Sequence, residues 1–221
     1  MNTKNNLCAF IKKYKHAWVF LYFFIYMPWF IYLENHIPAG YHIIHSAIDD
    51  KIPFIEYFII PYLLWFVFIA AAFLYFFFTD VPGFYKLSAL LFTGMTIFLL
   101  ISTFFPNGLT LRPTSFARDN IFVDMVKVLY TADTSTNVFP SLHVFNSLGV
   151  CIAVAHSDAL KKHNLVRYGA YFLAGAIILA TMFLKQHSII DVVFGFVMAY
   201  GLNMVVYAPV KQTALSKQVS W

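Results

Sequence analysis

The chain has 221 residues, 61% of them hydrophobic, 20% aromatic and 11% charged, with a formal net charge of +5. A charged fraction so far below the roughly 25% of soluble domains, together with long apolar blocks, excludes a soluble globular domain and makes this an integral membrane protein. The basic residues flank the apolar blocks, a placement that fits membrane topology and argues against a nucleic-acid partner.

In chain order, a basic segment, 1–16, carries Lys4, Lys12, Lys13 and Lys15 and precedes an apolar block at 17–33. That block has the preamble of a signal peptide. Its flank, "IYLENHIPAG", offers no A-x-A-like cleavage site and the run is long and aromatic, so it is expected to remain as a first span. Further spans are predicted over 54–78, 86–104, 141–157, 167–185 and 189–208, each near the roughly 20 residues a bilayer core requires. Backbone polar groups in lipid must be satisfied within the chain, and the alternation of a barrel strand is absent, so these are helices. The expected fold is all-α: one polytopic six-transmembrane-helix bundle over 17–208, followed by a tail at 209–221, with no repeat or low-complexity linker. Pro28 and Pro61 are predicted to kink the first two helices. Cys8 and Cys151 lie at different expected depths and form no disulfide framework.

Between the first two spans, "YHIIHSAIDD" offers His42, His45, Asp49 and Asp50, a set of nitrogen and oxygen donors that could suit a metal. The simpler reading is an amphipathic interfacial helix with Ile43, Ile44, Ile48 and Ile52 toward lipid, so no metal or other cofactor is assigned. Glu56 is a lone acid near the start of the second span, a position that is functional by default in a membrane but weakened here by the nearby interface. The aromatic runs "YLLWFVF" and "YFFF" read as lipid-facing or packing surface.

Sidedness follows from the basic residues. With the N-terminus inside, Lys4, Lys12, Lys13, Lys15, Lys86, Lys161, Lys162, Arg167, Lys211 and Lys217 are cytoplasmic, ten of the fifteen. Lys51, Arg112, Arg118, Lys127 and Lys185 remain outside. The bias predicts both termini in the cytoplasm of a cell membrane and outward segments at 34–53, 105–140 and 185–188.

The reactive groups then collect on the outward face: Arg112 in "NGLTLRPTSF", His143 in "FPSLH", His187 in "LKQHSIID" and Asp191 just after it. His187 and Asp191 share a helical face, where a carboxylate can fix the imidazole tautomer and free the other nitrogen as a nucleophile. Taken alone, the pair also reads as a polar cap on two helix ends. Pro140 suits a helix start, Ser141 can cap it, and the free N–H groups beyond form an anion site. Arg112 adds a planar fork of donors for phosphate oxygens, or else snorkels to the interface.

The order Arg-Pro, P-S-x-H, H-x-x-x-D resembles the type 2 phosphatidic acid phosphatase superfamily, over roughly residues 54–208. The family's motifs are written K-x6-R-P, P-S-G-H and S-R-x5-H-x3-D. Arg112 and Pro113 match the first, whose lysine position holds Phe105; Pro140, Ser141 and His143 match the second, with Leu142 for glycine; His187 and Asp191 match the third, with Ala180 and Thr181 for Ser-Arg. The P-S-L-H and K-Q-H wording is similar to a branch that includes inositolphosphotransferase-like proteins.

The resemblance implies a metal-independent lipid phosphatase or phosphotransferase acting on a lipid phosphate or diphosphate. His187 is the nucleophile, Asp191 its orienting carboxylate and His143 the general acid, with Arg112, Ser141 and, in place of the missing cations, Lys185 on the phosphate. A transporter is the rival class, but the ionisable groups gather at one interface, away from the midplane where transporters place their sites.

Overall fold

The structure, a computed structural model, describes residues 12–208. The 209–221 tail, Cys8 and the basic residues Lys4, Lys211 and Lys217 lie outside the described residues; Cys151 is a free thiol. The described chain is all-α, with seven α-helices joined by short 3-10 turns and one two-residue strand pair.

A 3-10 stretch, Lys15–Tyr22, runs into α1 (Phe23–Asn35), and together they form one apolar element of 21 residues. Pro28 lies inside α1. The second helix, α2 (Ile59–Thr79), follows a 3-10 turn at Glu56–Phe58. Pro61 therefore falls in the first turn of α2 rather than its interior.

Asp80 alone separates α2 from α3 (Val81–Phe104): its side chain accepts from Gly83 N at 2.9 Å, and Pro82 occupies the first turn. This cap starts α3 five residues before the predicted 86. The predicted outward segment 105–140 contains a further helix, α4 (Ile121–Ala132), capped by Asn120 and amphipathic along its length. Then come α5 (Leu142–His156), α6 (Asn164–Phe183) and α7 (Ile189–Val206).

Five helical elements are long and apolar enough to cross a membrane: Lys15–Asn35, Glu56–Thr79, Val81–Phe104, Asn164–Phe183 and Ile189–Val206. Helix α5 is shorter, at 15 residues, which is about 22 Å of rise against a hydrocarbon core of about 30 Å. It is also the central helix, packed on α2, α3, α6 and α7. Two glycines permit that closeness. A Cβ on Gly195 of α7 would lie 2.9 Å from Val144 Cβ, and one on Gly94 of α3 would lie 2.1 Å from the Phe145 ring. Because α2 and α5 both begin at the end of the bundle where α6 and α7 meet, their first turns stand side by side there.

The segment 41–50 is not an amphipathic helix. His42–Ile43 pairs in parallel with Asn107–Gly108, and a 3-10 turn, Asp49–Lys51, follows. The sequence pattern missed this because Asp49, read as a water-facing group, is 1% exposed and bonded into the bundle end.

Candidate active site

The turn between α6 and α7 places His187. Gln186 N and Lys185 N bond back to Thr181 O (2.9 Å) and Met182 O (3.0 Å), the paired bonds of a Schellman cap. Its left-handed position, usually glycine, is held by Lys185 at φ 54°. His187 N also reaches Thr181 O at 3.1 Å. Ser188 then caps α7: its Oγ accepts from Ile190 N (3.2 Å), and its N–H donates to Asp191 Oδ2 (2.8 Å), a capping box.

Asp191 caps α7 and also faces His187. Besides capping α7, its Oδ2 stands 3.4 Å from His187 Nδ1, a close ion-pair approach without hydrogen-bond geometry, and its Oδ1 has no partner among the described residues. Both side chains are withdrawn from solvent, His187 8% exposed and Asp191 0%. With Nδ1 facing the carboxylate, Nε2 is the nitrogen left for chemistry.

His143 sits in the first turn of α5, opposite His187, with 5.6 Å between ring centroids. Ser141 is fully buried and caps α5 through Val144 N, and its own N–H donates to Asp191 O at 3.2 Å. The starts of α5 and α7 are thereby tied together. The first-turn N–H groups of α5 have no carbonyl within the helix. The "YLLWFVF" run is not merely lipid-facing or packing surface: Tyr62 and Trp65 stack on the His143 ring, at centroid distances of 4.5 and 4.4 Å.

Arg112 does not line the space between the histidines. Its Nη1 donates to Tyr130 O (3.2 Å) and Asp133 O (2.8 Å), and its Nη2 to Thr134 O (2.7 Å) and Gln186 Oε1. The guanidinium, 4.6 Å over the Tyr130 ring, gathers carbonyls at and just past the C-terminal end of α4 and ties them to the residue before His187. Tyr130 completes this side of the clamp with a 2.7 Å bond from its hydroxyl to Leu184 O, and burial pushes that hydroxyl's pKa up to about 12.

Lys185 also points elsewhere: its Nζ donates to Asp49 O at 2.7 Å. Burial pulls its pKa below the ordinary lysine value, with Asp49 and Asp50 pulling the other way. Asp49 is the residue whose role here the sequence hid. Its carboxylate accepts from Ser188 Oγ (2.6 Å), Ile189 N (2.8 Å) and Ser46 N (2.8 Å), holding the turn that carries His187. No spacing motif could have linked positions so far apart in the chain. His45 pairs with Asp50 at 2.9 Å, and Glu56 is held by Asn120 Nδ2 (3.0 Å) and Arg118 (3.2 Å), so each of these singled-out residues has a local partner.

The histidines stand at the polar end of a cavity of about 1190 Å³, lined by α1, α2, α3, α4 and the start of α5. Glu34 and Asp133 lie at that same end. Glu34 accepts from Thr134 Oγ1 and from Asn137 Nδ2 (2.9 Å); Asp133 Oδ2 accepts from Tyr62 OH (2.9 Å) and Gln186 Nε2 (3.4 Å). Farther along, the lining is aromatic and aliphatic. From Tyr62 to Leu74 along α2 it extends about 18 Å at helical rise. Such a space can seat a long apolar chain with a polar group held between two imidazoles. Comparison with protein-family models, with curated proteins and with solved structures finds no match to this chain.

Proposed function

We propose that the chain is a lipid phosphatase of the type 2 phosphatidic acid phosphatase kind. It crosses a cell membrane six times, with α5 as the short inner span, and both termini are cytoplasmic. The substrate is a lipid phosphate or diphosphate. The observation that carries the reading is the facing pair His143 and His187, with Asp191 behind His187, at the polar end of a long apolar cavity.

In the reaction, His187 Nε2 attacks phosphorus in line and the bond from phosphorus to the leaving oxygen breaks. Protonated His143 gives its proton to that oxygen, and Asp191 stabilises the charge that develops on the His187 ring. Water then attacks the phosphohistidine, neutral His143 takes the water's proton, and inorganic phosphate leaves. The first turn of α5 meets the equatorial oxygens. The ammonium of Lys185 and the guanidinium of Arg112 add fixed positive charge from outside the cavity, and no metal enters the scheme.

A second reading replaces water with an acceptor alcohol. It is favoured by Asp133 and Glu34, carboxylates at the polar end of the cavity that accept hydrogen bonds from hydroxyls and repel free phosphate. The test is phosphate release from lipid phosphates and diphosphates by the purified protein, with and without an acceptor alcohol. Release that vanishes in His187→Ala and persists in excess chelator supports the phosphatase. Headgroup transfer with little free phosphate supports the second reading, and full activity in His187→Ala refutes both.

A further inference from the structure

Two polar groups inside the apolar cavity serve no purpose in that chemistry. Asn146 is 4% exposed and its Oδ1 has no hydrogen-bond partner among the described residues; Trp65 Nε1 likewise has none. Both residues line the cavity. Buried polar atoms are nearly always paired, and an unmet one costs about 1–3 kcal/mol, so two together in one wall call for a cause.

Their positions supply it. Asn146 is one helical turn past His143 on α5, and Trp65 is one turn past Tyr62 on α2. The two helices enter the bundle in the same direction, so Asn146 lies about 4.5 Å of rise inward from His143, while the Trp65 indole packs against the His143 ring at 4.4 Å between centroids. Farther in, the wall is Ile69, Phe73, Leu91, Phe92 and Met95.

We propose that Asn146 and Trp65 form a subsite for the junction between headgroup and tail of the lipid, and that this junction carries a hydrogen-bonding ester, amide or hydroxyl. The proposal rests on the phosphatase reading for the location of phosphorus. A carbonyl or hydroxyl a few bonds from phosphorus accepts from the Trp65 indole N–H, and an amide or hydroxyl there also donates to Asn146 Oδ1. A phosphate on plain hydrocarbon, such as a polyprenyl phosphate, leaves both protein groups unmet and is rejected, as sites built to hydrogen-bond a substrate reject analogues that lack the group.

The experiment uses the full chain in nanodiscs and three non-hydrolysable phosphonate ligands: an ester-linked diacylglycerol, an amide-linked N-acyl sphingoid and a polyprenyl analogue. Binding is measured by competition, with phosphate release from the parent phosphates measured alongside. The wild-type chain is expected to bind one or both carbonyl-bearing ligands about tenfold to hundredfold more tightly than the polyprenyl one, the loss expected for an unmet buried group. Comparing the ester with the amide tells which junction the site takes. Asn146→Leu, of similar volume, is expected to weaken the amide ligand, which donates to Asn146 Oδ1, and to strengthen the polyprenyl one, while the ester ligand keeps its bond from Trp65. A purely structural defect would weaken all three.

Trp65→Phe serves as the second variant and is expected to weaken both carbonyl-bearing ligands. Equal wild-type binding of the three ligands, or an unchanged ratio in the two variants, overturns the subsite. If none of the phosphates is hydrolysed while the binding ratio still collapses in the variants, the catalytic reading fails and the subsite stands.

Discussion

Replacing Asp49 with alanine tests whether a loop distant in sequence sets the position of His187. The substitution removes the acceptor of Ile189 N–H, Ser46 N–H and the Ser188 hydroxyl, whose Oγ still accepts from Ile190 N. At about 1–3 kcal/mol per unmet buried donor, the loss is about 3 kcal/mol, or on the order of 10 °C in melting temperature for a chain of this size. The kinetic consequence is separate. The cavity keeps its walls, so KM holds, but Ile189 is two residues from His187, and a nucleophile displaced by about 1 Å loses on the order of a hundredfold in kcat. Asp49→Asn keeps one acceptor oxygen and turns its NH2 toward either Ile189 N or the Ser46 N and Ser188 Oγ pair, so it falls between wild type and alanine. Melting curves and steady-state kinetics on a soluble short-chain lipid phosphate read both effects. Wild-type kcat in a folded Asp49→Ala protein would refute the reasoning.

The other variants separate scaffold from phosphate ligand. Lys185→Met deletes the bond to Asp49 O while keeping the left-handed backbone, and is expected to lower stability by about 1 kcal/mol and kcat/KM by less than tenfold; a loss of a hundredfold or more would make Lys185 a phosphate ligand after all. Arg112→Lys replaces a fork that reaches four acceptors with a single ammonium, and is expected to cost about 3 kcal/mol in thermal denaturation along with activity. Lost activity at unchanged stability would contradict the scaffold role. For sidedness, single cysteines are placed at Thr114 and Lys161 in a chain with Cys8 and Cys151 replaced by serine. An impermeant reagent applied from outside should label Thr114→Cys and spare Lys161→Cys, and the reverse would invert the topology.

What the sequence made legible was what repeats locally. Apolar length marked the spans, and α5 and α7 begin within a residue of their expected starts, α5 where Ser141 carries cap chemistry in plain view. The same cap chemistry at Asp80 with Pro82 starts α3 five residues before the expected 86. Helix α4 was hidden by its position in a polar segment, although Asn120 followed by apolar residues at 121, 122, 125, 126 and 129 is an amphipathic helix signal.

The facing histidines and Asp191 lie on or beside helix starts that length and polarity alone bring to one end of the bundle. What could not be read was long-range. Asp49 meets Ser188, Glu34 meets Asn137, and Arg112 spends its donors on the carbonyls that end α4. These partners are chosen by the packing of helices and loops, and no sequence spacing reports it. Tyr62 and Trp65 were hidden differently, inside an aromatic run whose neighbours Leu63, Leu64, Phe66 and Val67 are exposed.

The central claim is covalent chemistry at His187. The direct measurement is a rapid acid-free quench of the protein turning over a radiolabelled lipid phosphate, followed by mapping of the bound label. The account predicts a base-stable, acid-labile phosphoryl group on His187. The label should be absent in His187→Ala and formed slowly in His143→Ala, where only the proton donor for the leaving oxygen is lost. Phosphate release at the wild-type rate by His187→Ala, with no label trapped on the wild-type protein, would contradict it.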